Sequence, residues 1–258
     1  MSNSILTKKI LHWYDNNKRL LPWRKKNSQI KREYYTLVSE FMLQQTQVVT
    51  VIPYFNNFIK DIPNLTSLAK INEGRLIKYW EGLGYYSRVK NLKKTAQIIE
   101  KNFKGRLPCT IDELKSLPGI GDYTANAIMA IAFNKPFIPL DGNIERVIKR
   151  LLNLKLINEI SKENIIKQKK ILGNSIRASD YAQALMELGA IICKPKNPLC
   201  IKCPIIKNCK SYKNDNFEII KKNKKKVNKF YLLEVYKKND QFFLIKNTRF
   251  NFLKNLKI

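Results

Sequence analysis

The sequence has few acidic residues. Its 258 residues include 20 Asp and Glu against 49 Lys and Arg, which gives a formal net charge of +29 at pH 7. A positive field of this strength favours a polyanion as partner, DNA or RNA first. The alternative explanation is compositional: AT-rich genomes enrich proteins in Lys, Asn and Ile, so part of the lysine excess would then have no function. The apolar content of 44% is ordinary for a globular chain with a core.

Long apolar runs are also lacking. The opening residues MSNSILTKKILHWYDNNKR contain no uninterrupted apolar segment behind a basic start. No run elsewhere approaches the roughly 20 residues of a membrane helix. The expected location is therefore the cytoplasm, in association with the nucleoid. In a reducing cytosol, clustered cysteines bind metal more often than they form disulfides.

Apolar periodicity predicts that most of the first 210 residues are helical. In DGNIERVIKRLLNL, one helix face collects Ile144, Val147, Ile148, Leu151 and Leu152. In DYAQALMELGAIIC, the same spacing relates Tyr181, Leu185, Leu188 and Ile192. Asp180 is the expected cap of this second helix.

The composition changes near residue 211. Residues 211–229 are polar and lysine-rich, which is typical of a basic linker. The segment KFYLLEVYKKNDQFFLIKN then has two β-prone runs around a polar turn at Lys237–Asp240, and this predicts a hairpin. Because an isolated hairpin is marginal in water, we expect these strands to open a domain that is cut short.

Four of the five cysteines lie within 17 residues, in the spacing Cys193-x6-Cys200-x2-Cys203-x5-Cys209. Four thiolates can hold a zinc ion or wrap a cubane iron–sulfur cluster, and the spacing alone leaves both possibilities open. The fifth cysteine, Cys109, is remote in sequence and is expected to be a small buried side chain.

Two glycines punctuate the segment SLPGIGDYTANAIMAIAF, residues 116–133. Leu117 is expected to end one helix and Asp122 to begin the next, with Gly119 and Gly121 in a tight turn between them. Glycine permits positive φ and close approach, and free amides at a helix start are a natural phosphate site. A plain turn is the alternative for the glycine pair alone.

Asp141 follows twenty positions after Gly121, within FNKPFIPLDGNIERV. Local sequence favours an N-cap, whose carboxylate accepts from free amides. A carboxylate fixed at a helix start can also stay ionised near neutral pH and face a developing cation, and the two roles are compatible.

Together these motifs resemble the endonuclease III superfamily of DNA glycosylases, from about residue 11 to residue 209. The segment LPGIG resembles its helix–hairpin–helix, which grips a DNA phosphate through backbone amides. The cysteine spacing directly after ELGAIIC resembles its [4Fe-4S] loop. The resemblance thus implies a [4Fe-4S] cofactor held by Cys193, Cys200, Cys203 and Cys209.

The resemblance also implies an all-α fold of two helical subdomains and a short β-hairpin remnant of a Nudix-like domain. Its expected parts are a six-helix barrel with the helix–hairpin–helix at 26–137, an iron–sulfur cluster domain at 1–25 and 138–210, a basic linker at 211–229 and the start of a truncated Nudix-like domain at 230–258.

Three further segments resemble the MutY-type adenine DNA glycosylases: SEFMLQQTQV at 39–48, GLGYYSRVKNL at 82–92 and LPWR at 21–24. Tyr123 stands where strand-cutting relatives carry the lysine that forms a Schiff base. The implied activity is base-excision repair without strand cleavage, by a monomer acting on double-stranded DNA with A:8-oxoguanine or A:G mispairs.

The resemblance assigns catalytic roles. Glu40 would protonate adenine N7 and help to activate water, and Asp141 would face the oxocarbenium-like sugar. Burial is expected to raise the pKa of one acid, and polar contacts to keep that of the other low. Tyr123 and Asn143 would orient the two acids. Local sequence alone would leave Glu40 on a solvated helix edge.

Adenine inside a duplex must be flipped out before it can react. By resemblance, Gln45 and Tyr85 fill the gap in the base stack. Core packing is the alternative for Tyr85, with Tyr86 as an equal candidate. Arg24 and Glu187 would line the base pocket, although Glu187 also fits a helix surface.

Two other functions stay open on the sequence. One is an endonuclease III-like glycosylase for oxidised pyrimidines, against which Tyr123 argues. The other is a non-catalytic iron–sulfur protein that only binds DNA. If the loop held zinc, it would be a plain zinc module.

Overall fold

A computed structural model describes residues 5–25, 27–154, 172–215, 217, 237–239 and 241–242. In this part of the chain the α-helices are α1 (Ile5–Asn17), α2 (Gln29–Leu43), α3 (Val48–Asp61), α4 (Leu65–Lys70), α5 (Glu73–Lys78), α6 (Ser87–Phe103), α7 (Ile111–Ser116), α8 (Asp122–Ile131), α9 (Gly142–Leu152), α10 (Ala178–Glu187) and α11 (Lys210–Lys213). Helix α10 continues as a π-helical turn, Leu188–Ile192. Short 3-10 turns are Pro22–Arg24, Cys200–Lys202 and Ile206–Asn208. The predicted helical fold is confirmed.

Buried side chains form two hydrophobic cores within the compact unit Met1–Lys221. The first core is built by α2 to α8, around large buried side chains such as Phe41 and Trp80. The second joins α1, α9 and α10 to the cysteine loop, around Ile10 and Leu185. The predicted boundary at 137 and 138 falls between these cores, and the four domain ranges stay a prediction.

The predicted faces of α9 and α10 are buried, except that Leu152 is only partly covered. The predicted cap of α10 is wrong. The helix begins at Ala178, and Asp180 lies in its first turn, where it accepts from Nε of Arg177 at 2.8 Å. The cap comes instead from a distant loop, because Oδ1 of Asn134 accepts from the backbone N–H of Ser179 at 2.9 Å.

The expectation for Cys109 is also wrong, because its side chain is exposed. It immediately precedes Thr110, the N-cap of α7, in a surface connection where Leu107 and Pro108 supply the buried contacts. The distance of Cys109 from the other cysteines along the sequence does not indicate whether its side chain is buried. Its exposure follows from its place in this surface connection.

Two short strands pair near the C-terminus, in the second compact unit, Lys222–Ile258. Strands β1 (Lys237–Lys238) and β2 (Gln241–Phe242) are antiparallel, with Lys238 opposite Gln241. The predicted hairpin is confirmed, but β1 takes up the first half of the predicted turn. Most of the predicted linker and β-runs lie outside the described residues, and the Nudix-like assignment stays a prediction.

The described helices include none that combines the length and apolar character needed to cross a membrane. The cellular location stays a prediction.

Candidate active site

One cavity, of about 190 Å³, collects side chains from α2, α8, α9, α10 and the α1–α2 connection. Its polar lining residues are Arg19, Arg24, Thr36, Ser39, Glu40, Thr46, Tyr123, Asp141, Asn143, Gln183 and Glu187. The structure therefore brings together the four predicted catalytic residues and the two predicted base-pocket residues. Gln45, Tyr85, Gly119 and Gly121 do not line this cavity.

Glu40 lies in the last turn of α2, with only 4% of its surface exposed. The solvated helix edge is therefore wrong: α2 is surrounded by protein from Glu33 to Met42, apart from Tyr35. Burial raises the pKa of the Glu40 carboxyl to about 7; the Tyr123 hydroxyl opposes this shift and the Asp141 charge adds to it. Among the described residues, Oε2 of Glu40 has no partner with hydrogen-bond geometry. Such a carboxyl can hold a proton near neutral pH.

Asp141 is the N-cap of α9, as the local sequence predicted. Its Oδ1 accepts from the N–H of Ile144 at 2.7 Å, and its Oδ2 accepts from Nδ2 of Asn143 at 2.9 Å. Burial raises the pKa of Asp141 above its ordinary value, and the donors from Ile144 and Asn143 and the charge of Arg146 oppose the rise. The expectation of a pKa held low is thus wrong in sign, although the opposing donors are the expected ones.

Glu187 is completely buried at the end of α10, so the surface alternative is wrong. Its Oε1 accepts from Nη1 of Arg24 at 2.7 Å, and its two oxygens accept from Arg19 at 2.7 and 2.9 Å. Two guanidinium groups around one carboxylate satisfy its hydrogen bonds and compensate its burial. They also leave an excess positive charge beside the cavity.

Sequence reasoning missed Gln183 and Thr36. Both are buried cavity residues, and Oε1 of Gln183 and Oγ1 of Thr36 have no hydrogen-bond partner within the described part of the chain. Unsatisfied buried polar atoms that face a cavity are available to a bound molecule. Helical spacing could have found both residues, since Gln183 lies one turn before Glu187 and Thr36 one turn before Glu40.

The two-glycine turn joins α7 to α8, with Leu117 and Asp122 at the predicted helix ends. Gly119 has a φ of +82°, and a Cβ there would lie 2.8 Å from Cε1 of Phe41. Both the backbone angle and the packing therefore require glycine. Gly121 is exposed, and a Cβ there would meet nothing within 4 Å.

Gln45 and Tyr85 are exposed on two neighbouring loops. Tyr85 is 64% exposed, whereas Tyr86 is partly buried, so core packing does not explain Tyr85. Both residues have left-handed backbone, with φ of 58° for Gln45 and 49° for Tyr85. Non-glycine residues rarely adopt this conformation, and when they do it often marks a functional position.

The four clustered cysteines are free, partly buried thiols in one loop. Burial raises the pKa of Cys203 to about 12, and the charges of the other three cysteines add to this rise. Burial also raises the pKa of Cys200, with additions from Cys193 and Cys209, and the pKa of Cys209, with an addition from Cys193. The thiols therefore lie close enough to interact. Within the described ranges, no three His, Cys, Asp or Glu side chains are grouped as a ligand set for a metal ion.

The sulfur chemistry of this loop nevertheless fits an iron–sulfur cluster, which takes four Cys thiolates, and it also fits zinc. A bound metal would supply the positive charge that stabilises buried thiolates. Buried Arg150 already supports the loop, because it donates to the carbonyls of Lys194 and Pro195 at 2.6 and 2.9 Å.

The chain matches known proteins along most of its length. The family described as HhH-GPD superfamily base excision DNA repair protein matches residues 38–170. The adenine DNA glycosylases of Buchnera aphidicola subsp. Baizongia pistaciae and subsp. Schizaphis graminum are 39% and 37% identical to this chain. The matches cover 99% of this chain and 73% and 74% of those proteins.

A solved thermostable thymine-DNA glycosylase has a similar fold, with a TM-score of 0.71 and 26% identity over 82% of this chain and 97% of that chain. The cavity with its two acids and the match to the Buchnera proteins over 99% of this chain point to the same family. The chain therefore belongs to the adenine DNA glycosylase family of the HhH-GPD superfamily, and it is a base-excision repair N-glycosylase that acts on adenine.

Proposed function

We propose that the enzyme excises adenine from A:8-oxoguanine and A:G mispairs in double-stranded DNA, as a monomer, and that it leaves the DNA strand intact. The observation that carries the proposed chemistry is the single cavity in which Glu40 and Asp141 have different surroundings. Cleaving the bond to adenine requires a proton on the departing base and negative charge beside the sugar cation.

Glu40 is the proposed general acid. A carboxyl with a pKa of about 7 is substantially protonated at neutral pH and can donate to adenine N7. After the bond breaks, the same group is a carboxylate and can take a proton from the attacking water. Tyr123 interacts with this carboxyl and would fix its orientation.

Asp141 is the proposed stabiliser of the oxocarbenium-like sugar. Its two oxygens are held by Ile144 and Asn143, so the carboxylate cannot turn away when positive charge develops. Asn143 is therefore assigned an orienting role. Arg146 in turn holds Asn143, because its Nη2 donates to Oδ1 of Asn143 at 2.8 Å.

The absence of strand cleavage follows from Tyr123, which supplies no amine for a Schiff base at the position where strand-cutting relatives carry lysine. Arg24 and Glu187 would contact the flipped base, together with the unsatisfied Oε1 of Gln183. Carboxylate and amide oxygens there accept hydrogen bonds, which suits the exocyclic amine of adenine.

Gln45 and Tyr85 would enter the base stack, and the turn of Gly119 and Gly121 would hold a phosphate through backbone amides. The exposed lysines of the cysteine loop would meet further phosphates: Lys194, Lys196, Lys202 and Lys207.

Cys193, Cys200, Cys203 and Cys209 would hold a [4Fe-4S] cluster. When bound, the cluster would fix the loop and supply no step of the base excision. Metal analysis of anaerobically purified protein tests this assignment. Iron and sulfide in equal amounts are expected, and zinc without sulfide would contradict it.

The test of function is single-turnover release of adenine from duplexes that contain A:8-oxoguanine, A:G or A:T. We expect release from the two mispairs and little from A:T. Strand nicking at thymine glycol with a borohydride-trapped adduct would instead favour the pyrimidine-specific alternative. Tight, salt-sensitive DNA binding without release of any base would favour the non-catalytic one.

A further inference from the structure

We propose that Arg88 is a positioning residue that joins the end of α2 to the two loops carrying Gln45 and Tyr85, and so holds both side chains ready to enter the base stack. This inference deepens the proposed function and rests on it, because the wedge roles of Gln45 and Tyr85 belong to that proposal. The two loops are the α2–α3 loop, 44–47, and the α5–α6 loop, 79–86.

Arg88 lies in the first turn of α6, with 6% of its surface exposed. Its two terminal nitrogens reach different segments. Nη1 has four acceptors within hydrogen-bond distance, which share its two hydrogens: the carbonyls of Phe41 (3.2 Å), Met42 (2.9 Å) and Gln44 (2.5 Å) and Oγ1 of Thr46 (3.1 Å). Nη2 donates to the carbonyls of Leu83 and Gly84, both at 3.0 Å. One guanidinium therefore connects the helix end to both loops.

The charge of Arg88 is balanced without a carboxylate among the described residues. The terminal carbonyls of α2 carry the negative end of the helix dipole, which attracts a cation. The guanidinium also lies over the rings of Trp80 and Tyr85, at 5.4 and 5.7 Å from their centroids. Burial lowers the pKa of Arg88. Among side chains, only a guanidinium can make this combination of hydrogen bonds and ring contacts.

On each loop, Arg88 contacts the carbonyl of the residue directly before the wedge residue, and it also reaches Thr46 directly after Gln45. Gln44 precedes Gln45, and Gly84 precedes Tyr85. Because left-handed backbone is costly for non-glycine residues, it persists only where neighbouring contacts fix it. Arg88 supplies those contacts on both loops at once, so the free protein already has the exposed geometry that base extrusion needs.

The same network reaches the other parts of the site. Phe41, whose carbonyl accepts from Arg88, directly follows Glu40. Nε2 of Gln44 donates to the carbonyl of Gly119 at 3.3 Å, which connects the wedge loop to the phosphate-binding turn. A shift of the Arg88 guanidinium would therefore move Gln45 and Tyr85 relative to both Glu40 and the phosphate-binding turn.

Arginine is required for this role because a guanidinium is a planar fork with five donors. The single nitrogen of lysine keeps the charge but cannot span both loops. Arg88→Lys therefore separates geometry from charge. The matched control is Arg106→Lys. The Arg106 guanidinium donates to the buried Glu33 carboxylate at 2.6 and 3.2 Å, and Arg106 lies outside the cavity and both wedge loops.

The experiment measures base extrusion and adenine release separately. Extrusion is followed by the fluorescence of 2-aminopurine placed beside the target adenine, in a Glu40→Gln background that does not release the base. Release is measured under single turnover, and melting temperatures are recorded for every variant. We expect Arg88→Lys to lower release by about 100-fold, as misplacement of an active-site group by about 1 Å does. Extrusion should fall with it, whereas Arg106→Lys should change neither.

A double-mutant cycle distinguishes positioning from a general structural role. If Arg88 acts through the wedge, Tyr85→Ala costs much less in an Arg88→Lys background than in the wild type. Purely additive effects would overturn the proposal, as would normal extrusion by a folded Arg88→Lys protein.

If Arg88→Lys does not fold, Gly84→Ala replaces it. A Cβ at Gly84 meets nothing within 4 Å, but its φ of +70° strains any other residue. Reduced extrusion by the folded Gly84→Ala variant supports the proposal that the conformation of the α5–α6 loop is held ready in the free protein, and unchanged extrusion contradicts it. Failure of the wild type to release adenine from either mispair would count against the proposed function alone, because the fluorescence still reports extrusion.

Discussion

The two sides of the cavity hold the same functional group in opposite kinds of helix position. On one side, Glu40 lies in the last turn of α2, where no free amide is available to a side chain. On the other side, Asp141 precedes α9, where the first amides have no intrahelical partner and donate to it. Burial raises the pKa of both carboxyls, but only Asp141 gains backbone donors that oppose the rise.

This difference indicates how two carboxyl groups in one cavity can differ in their affinity for a proton. We expect Glu40 to keep the proton, because its charged form would be buried with an unsatisfied oxygen. Asp141 is the better anion because its hydrogen bonds favour the charged form. On the proposed mechanism, the position of each residue along its helix therefore favours Glu40 as the proton donor.

The largest expected effect comes from removing the donor. Glu40→Gln should lower the single-turnover rate of adenine release by about 10³-fold or more, since an amide cannot protonate N7. Glu33→Gln is the matched control, because Glu33 is a buried carboxyl on the same helix that does not line the cavity. It should lower the stability while the rate per folded molecule is kept. An undiminished rate in Glu40→Gln would remove Glu40 from the mechanism.

Asp141→Asn should lower release by about 10²- to 10³-fold, because the charge that faces the sugar cation is lost. Asn and Asp are equally good N-caps, so the melting temperature should stay close to that of the wild type. Asp141→Ala should lose the activity and also about 1 kcal/mol of stability. If Asp141→Asn is fully active, Asp141 is a cap and nothing more.

The pH dependence of stability sharpens the comparison without DNA. The pKa of Glu40 is about 7 in the folded protein against an ordinary 4.5, so the folded state holds this proton more tightly. The stability from this group is complete below about pH 4.5 and is lost as the pH rises through about 7. Glu40→Gln should therefore raise the free energy of unfolding at pH 8, relative to pH 4, by about 3 kcal/mol.

Urea titrations at the two pH values measure this change. Asp141→Asn should show a smaller change of the same sign, because the rise in the pKa of Asp141 is opposed by its donors. An equal change in both variants would mean that the two environments do not differ in the way described.

Tyr123→Phe should have the smallest effect. Release should fall as the pH rises through the pKa of Glu40, about 7, because the deprotonated carboxyl cannot donate. The Tyr123 hydroxyl lowers this pKa, so its removal should move the falling limb to higher pH. The pH profile of single-turnover release checks the direction, and a shift to lower pH would contradict the interaction.

Features set by neighbours in sequence could be predicted. The helix ends at Leu117 and Asp122 follow from the proline and glycines between them, and the cap at Asp141 follows from the helix directly after it. The buried face of α9 could be read from its spacing. The helix ends, the cap and the buried face each depend on residues a few positions apart, so the local sequence is enough to predict them.

Features set by distant contacts could not be predicted. The burial of Glu40 and the pairing of Glu187 with Arg19, 168 residues away, require α2 and α10 to meet other segments. The cap of α10 comes from Asn134 in the same way. The sequence by itself therefore determined most of the helices and the family. Only the tertiary structure decided the different surroundings of Glu40 and Asp141, because burial and charge compensation are properties that distant segments build.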